Sequence, residues 1–132
     1  MYLVDTNVWL EALLDQERAE EARNFLQRTD SVNLFLTDFS LFSIGIILTR
    51  LKKDALFQTF LRDTVEESGV MLVRLDTDGL DRILSLRRSV DLDFDDAYQY
   101  VAAEANRLTI VSFDADFDRT EQGRKQPHQV TA

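Results

Sequence analysis

Tyr2-Leu3-Val4-Asp5-Thr6-Asn7 opens the regular part of the chain: three apolar residues run directly into three polar ones. The apolar run fits a buried strand and the polar run a turn. Val8, Trp9, Leu10, Ala12, Leu13 and Leu14 then suit a helix. The same alternation continues outward. Residues 17–28 place Ala19, Ala22, Phe25 and Leu26 at helical spacing. Residues 32–36 are apolar and β-favouring apart from Asn33. Thr37-Asp38 reads as a helix N-cap, and the helix ends in Arg50, Lys52 and Lys53, where its dipole favours cations. Residues 54–68 predict another helix stopped by Gly69. A strand follows at 70–75, then a helix with Leu80, Ile83, Leu84 and Leu86 inward, a helix at 93–107, and a strand at 108–111. A last strand is expected at 128–131, and 121–126 reads as a mobile polar stretch. Strands alternating with helices imply parallel crossovers. The expected fold is a three-layer α/β/α domain over residues 1–132, with a central parallel sheet of four to five strands.

Composition narrows the chemistry. At 132 residues and 15.3 kDa the chain suits one domain. An apolar fraction of 45% with 9 Phe supplies a core, which argues against disorder. Zero Cys excludes disulfides, cysteine nucleophiles and thiolate metal sites. It is compatible with a reducing cytoplasm, the expected location. One His excludes sites needing several imidazoles. The net charge of −9 disfavours broad nucleic-acid binding through a basic face. It leaves open a nuclease whose acidic site attracts phosphate only with a metal. No secretory signal is expected from the opening residues. The longest apolar run, around 39–48, is interrupted by Ser40, Ser43 and Gly45 and is too short for a membrane span.

Acids fall where a parallel sheet binds ligands, outside the carboxyl ends of its strands. Asp5 ends the first expected strand and Asp114 follows the fourth. Asp96 lies in the first turn of the preceding helix, before the small and apolar Ala97, Val101, Ala102 and Ala103. Clustered carboxylates repel, and a hard divalent cation with oxygen ligands relieves them. Mg²⁺ or Mn²⁺ held so can activate water and neutralise a phosphate. Each acid also has an ordinary reading. Asp5 alone suits a turn or N-cap, and Asp93 a helix cap. Asp95 and Asp118 suit solvated charges, and Asp114 and Asp116 a helix N-terminus. The informative feature is Asp5, Asp96 and Asp114 together.

Three stretches then resemble the PIN-domain proteins, the fold of the VapC-like toxin ribonucleases. They are Val4-Asp5-Thr6-Asn7-Val8, Asp96-Ala97 with its small-residue helix through Ala102-Ala103, and Ile110-Val111-Ser112-Phe113-Asp114-Ala115-Asp116-Phe117. Their order and spacing carry the resemblance over nearly the whole chain. It implies a Mg²⁺- or Mn²⁺-dependent endoribonuclease, an RNA substrate, a small antitoxin partner and a homodimer. Asp5 resembles the first metal-binding acid, Asp96 the third and Asp114 the fourth, with Asp116 an addition. Asn7 resembles the residue that orients Asp5, and Ser112 a hydroxyl that bonds the site. One position departs. The family usually carries a Glu in the helix after the second strand, and counting from Thr37 that position is Ser43. Asp38 lies five residues away, about 140° around the helix, and is a poor substitute. The departure predicts a weakened enzyme.

Two other functions compete. A catalytically weak scaffold that binds protein or RNA fits Ser43 and the −9 charge. A phosphoacceptor receiver or a phosphatase also puts Asp after its first strand. A haloacid-dehalogenase phosphatase needs Asp-x-Asp-x-Thr, whereas the run here is Asp5-Thr6-Asn7-Val8-Trp9. A receiver needs a lysine after a late strand, and Ser112-Phe113-Asp114 has none. For a nuclease, Arg50, Lys52, Lys53 and Arg119 are the candidate phosphate contacts.

Overall fold

The structure, a computed structural model, describes residues 1–131. Four strands form one sheet in the order β3-β2-β1-β4, with β1 at Tyr2–Val4, β2 at Leu34–Thr37, β3 at Met71–Val73 and β4 at Thr109–Val111. Every pairing is parallel. β1 is central: β2 and β3 extend to one side of it and β4 lies on the other. That reversal of strand order is where an open α/β sheet leaves a crevice for ligand.

Alternation along the strands builds two cores. Leu3 and Ile110 face α5 (Thr77–Ser89) and α6 (Phe94–Asn106), joining Ile83, Leu86, Val101 and Ala102. Val4, Leu34, Leu36 and Val111 face the other layer. That layer comprises α1 (Thr6–Leu13), α2 (Ala19–Arg28), α3 (Asp38–Arg50) and α4 (Asp54–Phe60). There Val8, Phe25, Ile44 and Leu48 are fully buried. Burying such a side chain contributes roughly 1.5–3 kcal/mol. The expected α/β/α layering over a parallel sheet is what the chain forms.

Several local expectations need correction. Residues 31–33 form a 3-10 turn, so β2 starts at Leu34. The helix expected at 54–68 is α-helical only to Phe60 and continues as a π-helical segment, Leu61–Glu66. Gly69 is no left-handed stop; the positive φ angles fall on Asp15, Lys52, Arg107 and Gly123. Asp93 sits at the N-cap of α6 but makes no side-chain capping bond. The strand expected at 128–131 is replaced by a 3-10 turn, Pro127–Gln129. The N–H groups of Gln129 and Val130 close that turn on the carbonyls of Gln126 and Pro127 instead of joining a ladder. Pairing with β4 falls instead to Lys125, whose N–H donates to Ile110 O and whose carbonyl accepts from Ser112 N–H. Lys125 and Arg124 both belong to the polar stretch 121–126, and Arg124 bonds Ser112 O and Asp118.

Candidate functional site

Strand register starts the site. Tyr2 and Leu3 of β1 pair with Leu34 and Phe35, and Val4 pairs with Val111. One step further, Asp5 lies in register between Thr37, the last residue of β2, and Ser112, the residue after β4. Its N–H donates to Val111 O at 3.0 Å, so the pairing with β4 runs to the acid. The carboxylate is 6% exposed and needs donors. Oδ1 accepts from Thr6 N–H at 2.8 Å and Gln99 Nε2 at 2.9 Å. Oδ2 accepts from Ser112 Oγ at 2.7 Å and Asn7 Nδ2 at 3.3 Å. Burial pushes the Asp5 carboxyl above the usual range; the bonds from Gln99, Ser112 and Thr6 oppose this.

Ser112 and Asn7 also set the next acid. Ser112 Oγ accepts from Asp114 N–H at 2.9 Å and from Asn7 Nδ2 at 3.1 Å, and Asn7 Oδ1 accepts from Phe113 N–H. Asp114 then caps the 3-10 turn Ala115–Arg119 by accepting from Asp116 N–H at 2.8 Å. That turn brings Asp116 back beside Asp114. Asp96, in the first turn of α6, completes the group. One carboxylate oxygen from each of Asp96, Asp114 and Asp116 lies within 4.8 Å of the others.

This group is electrostatically strained. The Asp96 carboxyl is pushed up to about 7 by burial first, then by the charges of Asp114, Asp95, Asp5 and Asp116. A divalent cation fits this donor set: bonds of roughly 2.0–2.6 Å allow two ligands on one ion to be about 4–5 Å apart. Asp96 and Asp114 open into a cavity of about 310 Å³, whose lining also includes Asp5, Asn7, Ser43 and Asp95. Ser43 therefore reaches the acids' cavity. Asp38 is bonded elsewhere, accepting from the Tyr98 hydroxyl at 2.7 Å. Among the candidate cations, Arg119 pairs with Asp116 at 3.2 Å. Arg50, Lys52 and Lys53 are exposed at the far end of α3.

Sequence reasoning missed Gln99, Ser40 and Asp95's place in the cavity, and read Thr37 as a cap alone. Thr37 does cap α3, accepting from Ser40 N–H, and its hydroxyl also donates to Gln99 Oε1. Gln99 has one signal in the sequence. It stands three residues after Asp96, on the same helical face.

The PIN domain family model matches residues 2–123. No curated protein matches the chain. Among solved structures, the Mycobacterium tuberculosis VapC20, described as a Sarcin-Ricin loop cleaving toxin, superposes with a TM-score of 0.77 at 16% identity. The alignment covers 89% of this chain and 93% of that one. A toxin-antitoxin complex from Klebsiella pneumoniae gives 0.77 at 17% identity, covering 98% and 100%. FitAcB from Neisseria gonorrhoeae gives 0.78 at 18% identity, covering 98% and 100%. At these identities the likeness is one of fold.

Proposed function

The chain belongs to the PIN domain family, and from that premise we propose that it is a Mg²⁺- or Mn²⁺-dependent endoribonuclease, the toxin of a toxin–antitoxin pair. One observation carries the reading: oxygens of Asp96, Asp114 and Asp116 converge within 4.8 Å beside a cavity that Asp5 also lines. Asp96, Asp114 and Asp116 would hold the ion, with Asp5 adjoining them. When bound, such an ion neutralises phosphate charge and activates water. The chain's own residues do the rest. Ser112 and Asn7 fix Asp5, and Ser112 also fixes Asp114. Arg119, half exposed and paired with Asp116, is the cation that would contact a phosphate. Ser43 stands in the cavity where the family usually carries Glu, so the site lacks one negative charge and the enzyme is weak. Similarity in fold to a toxin-antitoxin complex supports a protein antitoxin as partner, and a homodimeric toxin is proposed with it on the family resemblance alone. Among the described residues no helix is long and apolar enough to cross a membrane, and a cytoplasmic location suits an RNA substrate.

The test is cleavage of single-stranded RNA with and without Mn²⁺, alongside Asp96→Asn. Metal-dependent cleavage that Asp96→Asn abolishes is expected. Ser43 also favours a second reading, a scaffold that binds protein or RNA without cleaving. RNA binding with no cleavage at saturating Mn²⁺ selects it.

A further inference from the structure

Gln99 lies one helical turn after Asp96 and is 2% exposed. Its neighbours on α6 are Ala97, Tyr98, Tyr100, Val101 and Ala102, all buried and mostly apolar. A buried amide must place two N–H donors and an acceptor oxygen. Gln99 places all of them on residues at the carboxyl end of the sheet. The Thr37 hydroxyl donates to Oε1 at 2.6 Å. Nε2 donates to Asp5 Oδ1 at 2.9 Å and to Ser40 Oγ at 2.8 Å.

The amide has a defined edge toward Asp5. The Asp5 carboxylate only accepts, so the Gln99 NH₂ faces it, and the amide carbonyl is left to take the proton of Thr37 Oγ1, which itself accepts from Ser40 N–H at 2.9 Å. The carbonyl of Gln99 therefore faces Thr37, and its NH₂ faces the acid and Ser40. The end of β2 thus complements the edge that α6 presents to Asp5.

The four donors to Asp5 divide unequally between elements. Thr6 and Asn7 belong to its own turn, and Ser112 follows β4. Gln99 alone comes from α6, the helix that carries Asp96. Asp5 and Asp96 are like charges that repel. Gln99 is the hydrogen-bonded tie between the first acid and the helix bearing the other.

We infer that Gln99 is a positioning residue: it holds the Asp5 carboxylate in one orientation and fixes its separation from Asp96. The inference rests on the metal-centre reading above. A neutral amide suits this task, because it bonds Asp5 without cancelling the charge that attracts a cation. Substitution of a partner that orients ligands typically lowers metal affinity or activity by roughly 10–100-fold.

The test compares the full-length wild type with Gln99→Met, which keeps length and removes both donors. Phe25→Leu, in the opposite core, serves as a control for lost stability. The readouts are Mn²⁺ affinity by calorimetry, kcat and KM separately for single-stranded RNA, and a metal-free crystal structure of the variant. We expect Gln99→Met to bind Mn²⁺ about 10–100-fold more weakly and to lose kcat with KM little changed. We expect its Asp5 carboxylate to swing or move away from Asp96, while Phe25→Leu keeps wild-type affinity and kcat. Should Gln99→Met fail to fold, Thr37→Val frees the amide edge and is read the same way. Wild-type affinity, kcat and Asp5 orientation in the variant overturn the inference. A wild type that binds no Mn²⁺ overturns the metal reading instead, and the Asp5 orientation in the variant crystal then decides on Gln99 by itself.

Discussion

Asp96→Asn in chelator should make the protein more stable at neutral pH, although it removes a residue of the proposed site. The Asp96 carboxyl is pushed from 3.8 to about 7 by burial and by the acids around it. A shift of that size corresponds to about 4 kcal/mol at 1.36 kcal/mol per unit. Asp96 is only half-buried and opens into the cavity, so screening reduces this to on the order of 1–2 kcal/mol. The sign follows from proton counting. Between about pH 4 and 7 the folded chain holds a proton on Asp96 that the unfolded chain has lost. This contribution is fully present below about pH 4 and disappears as pH rises through about 7. Asparagine cannot ionise, so the variant escapes the loss. At pH 8 in chelator it should melt roughly 3–8 °C above the wild type, and near pH 4 the two should coincide. Divalent metal reverses the order. Binding only to the folded state adds about 2.7 kcal/mol at a hundredfold excess over Kd, and the variant forfeits most of that. Thermal melts by circular dichroism across pH 4–8, in chelator and in saturating Mn²⁺, give all four curves. Parallel wild-type and variant pH profiles in chelator would refute the electrostatic argument. Equal Mn²⁺ shifts would place the ion elsewhere.

Other perturbations test neighbouring parts. Ser43→Glu should tighten Mn²⁺ binding and speed cleavage of single-stranded RNA, because Ser43 lines the cavity of the acids; a gain that persists in Asp5→Asn would disconnect the two residues. Ser112→Ala removes the hydroxyl that donates to Asp5 and accepts from Asp114; urea denaturation should register a loss of roughly 1–3 kcal/mol, with weaker Mn²⁺ binding by calorimetry. Gly45→Ala would place a Cβ 2.8 Å from Phe57 Cζ, between α3 and α4. Overpacking of about 1–3 kcal/mol should outweigh the ~1 kcal/mol helix-propensity gain, and a higher melting temperature would contradict this.

Much of the fold was legible because its signals are local and redundant. Tyr2-Leu3-Val4 and Thr109-Ile110-Val111 are short apolar runs, and Leu3 and Val4 need opposite cores whatever their partners. Asp5 and Asp114 were legible for the same reason: strand ends show in sequence, and parallel sheets bind ligand there. What failed depends on pairings between distant residues. No pattern marks residues 61–66 as π-helical, and the apolar tail at Val130 packs into the core without extending the sheet. Gln99 reads as one polar residue in a buried helix until the structure brings Thr37 and Asp5 beside it. Asp38 and Ser43 separate only through helical phase, which the Tyr98 bond to Asp38 fixes.

The choice of donors around Asp5 explains how a buried acid keeps its value to the site. Every side chain that bonds it is neutral: Gln99, Ser112 and Asn7, with Thr6 contributing its N–H. A lysine or arginine at any of these positions would satisfy the carboxylate more strongly, since charge-assisted bonds are about twice as strong. It would also cancel the field that draws a cation in. The cation that does approach the acids, Arg119, meets Asp116 in a half-exposed pair, which solvent and salt weaken. Strand register makes this arrangement possible. Hydroxyls flank Asp5 at the end of β2 and just past β4, Ser112 bonding it directly and Thr37 acting through the amide of Gln99. The Asp5 carboxyl is thus oriented at the end of the central strand by neutral groups alone, and neutralising its charge is left to whatever enters the cavity.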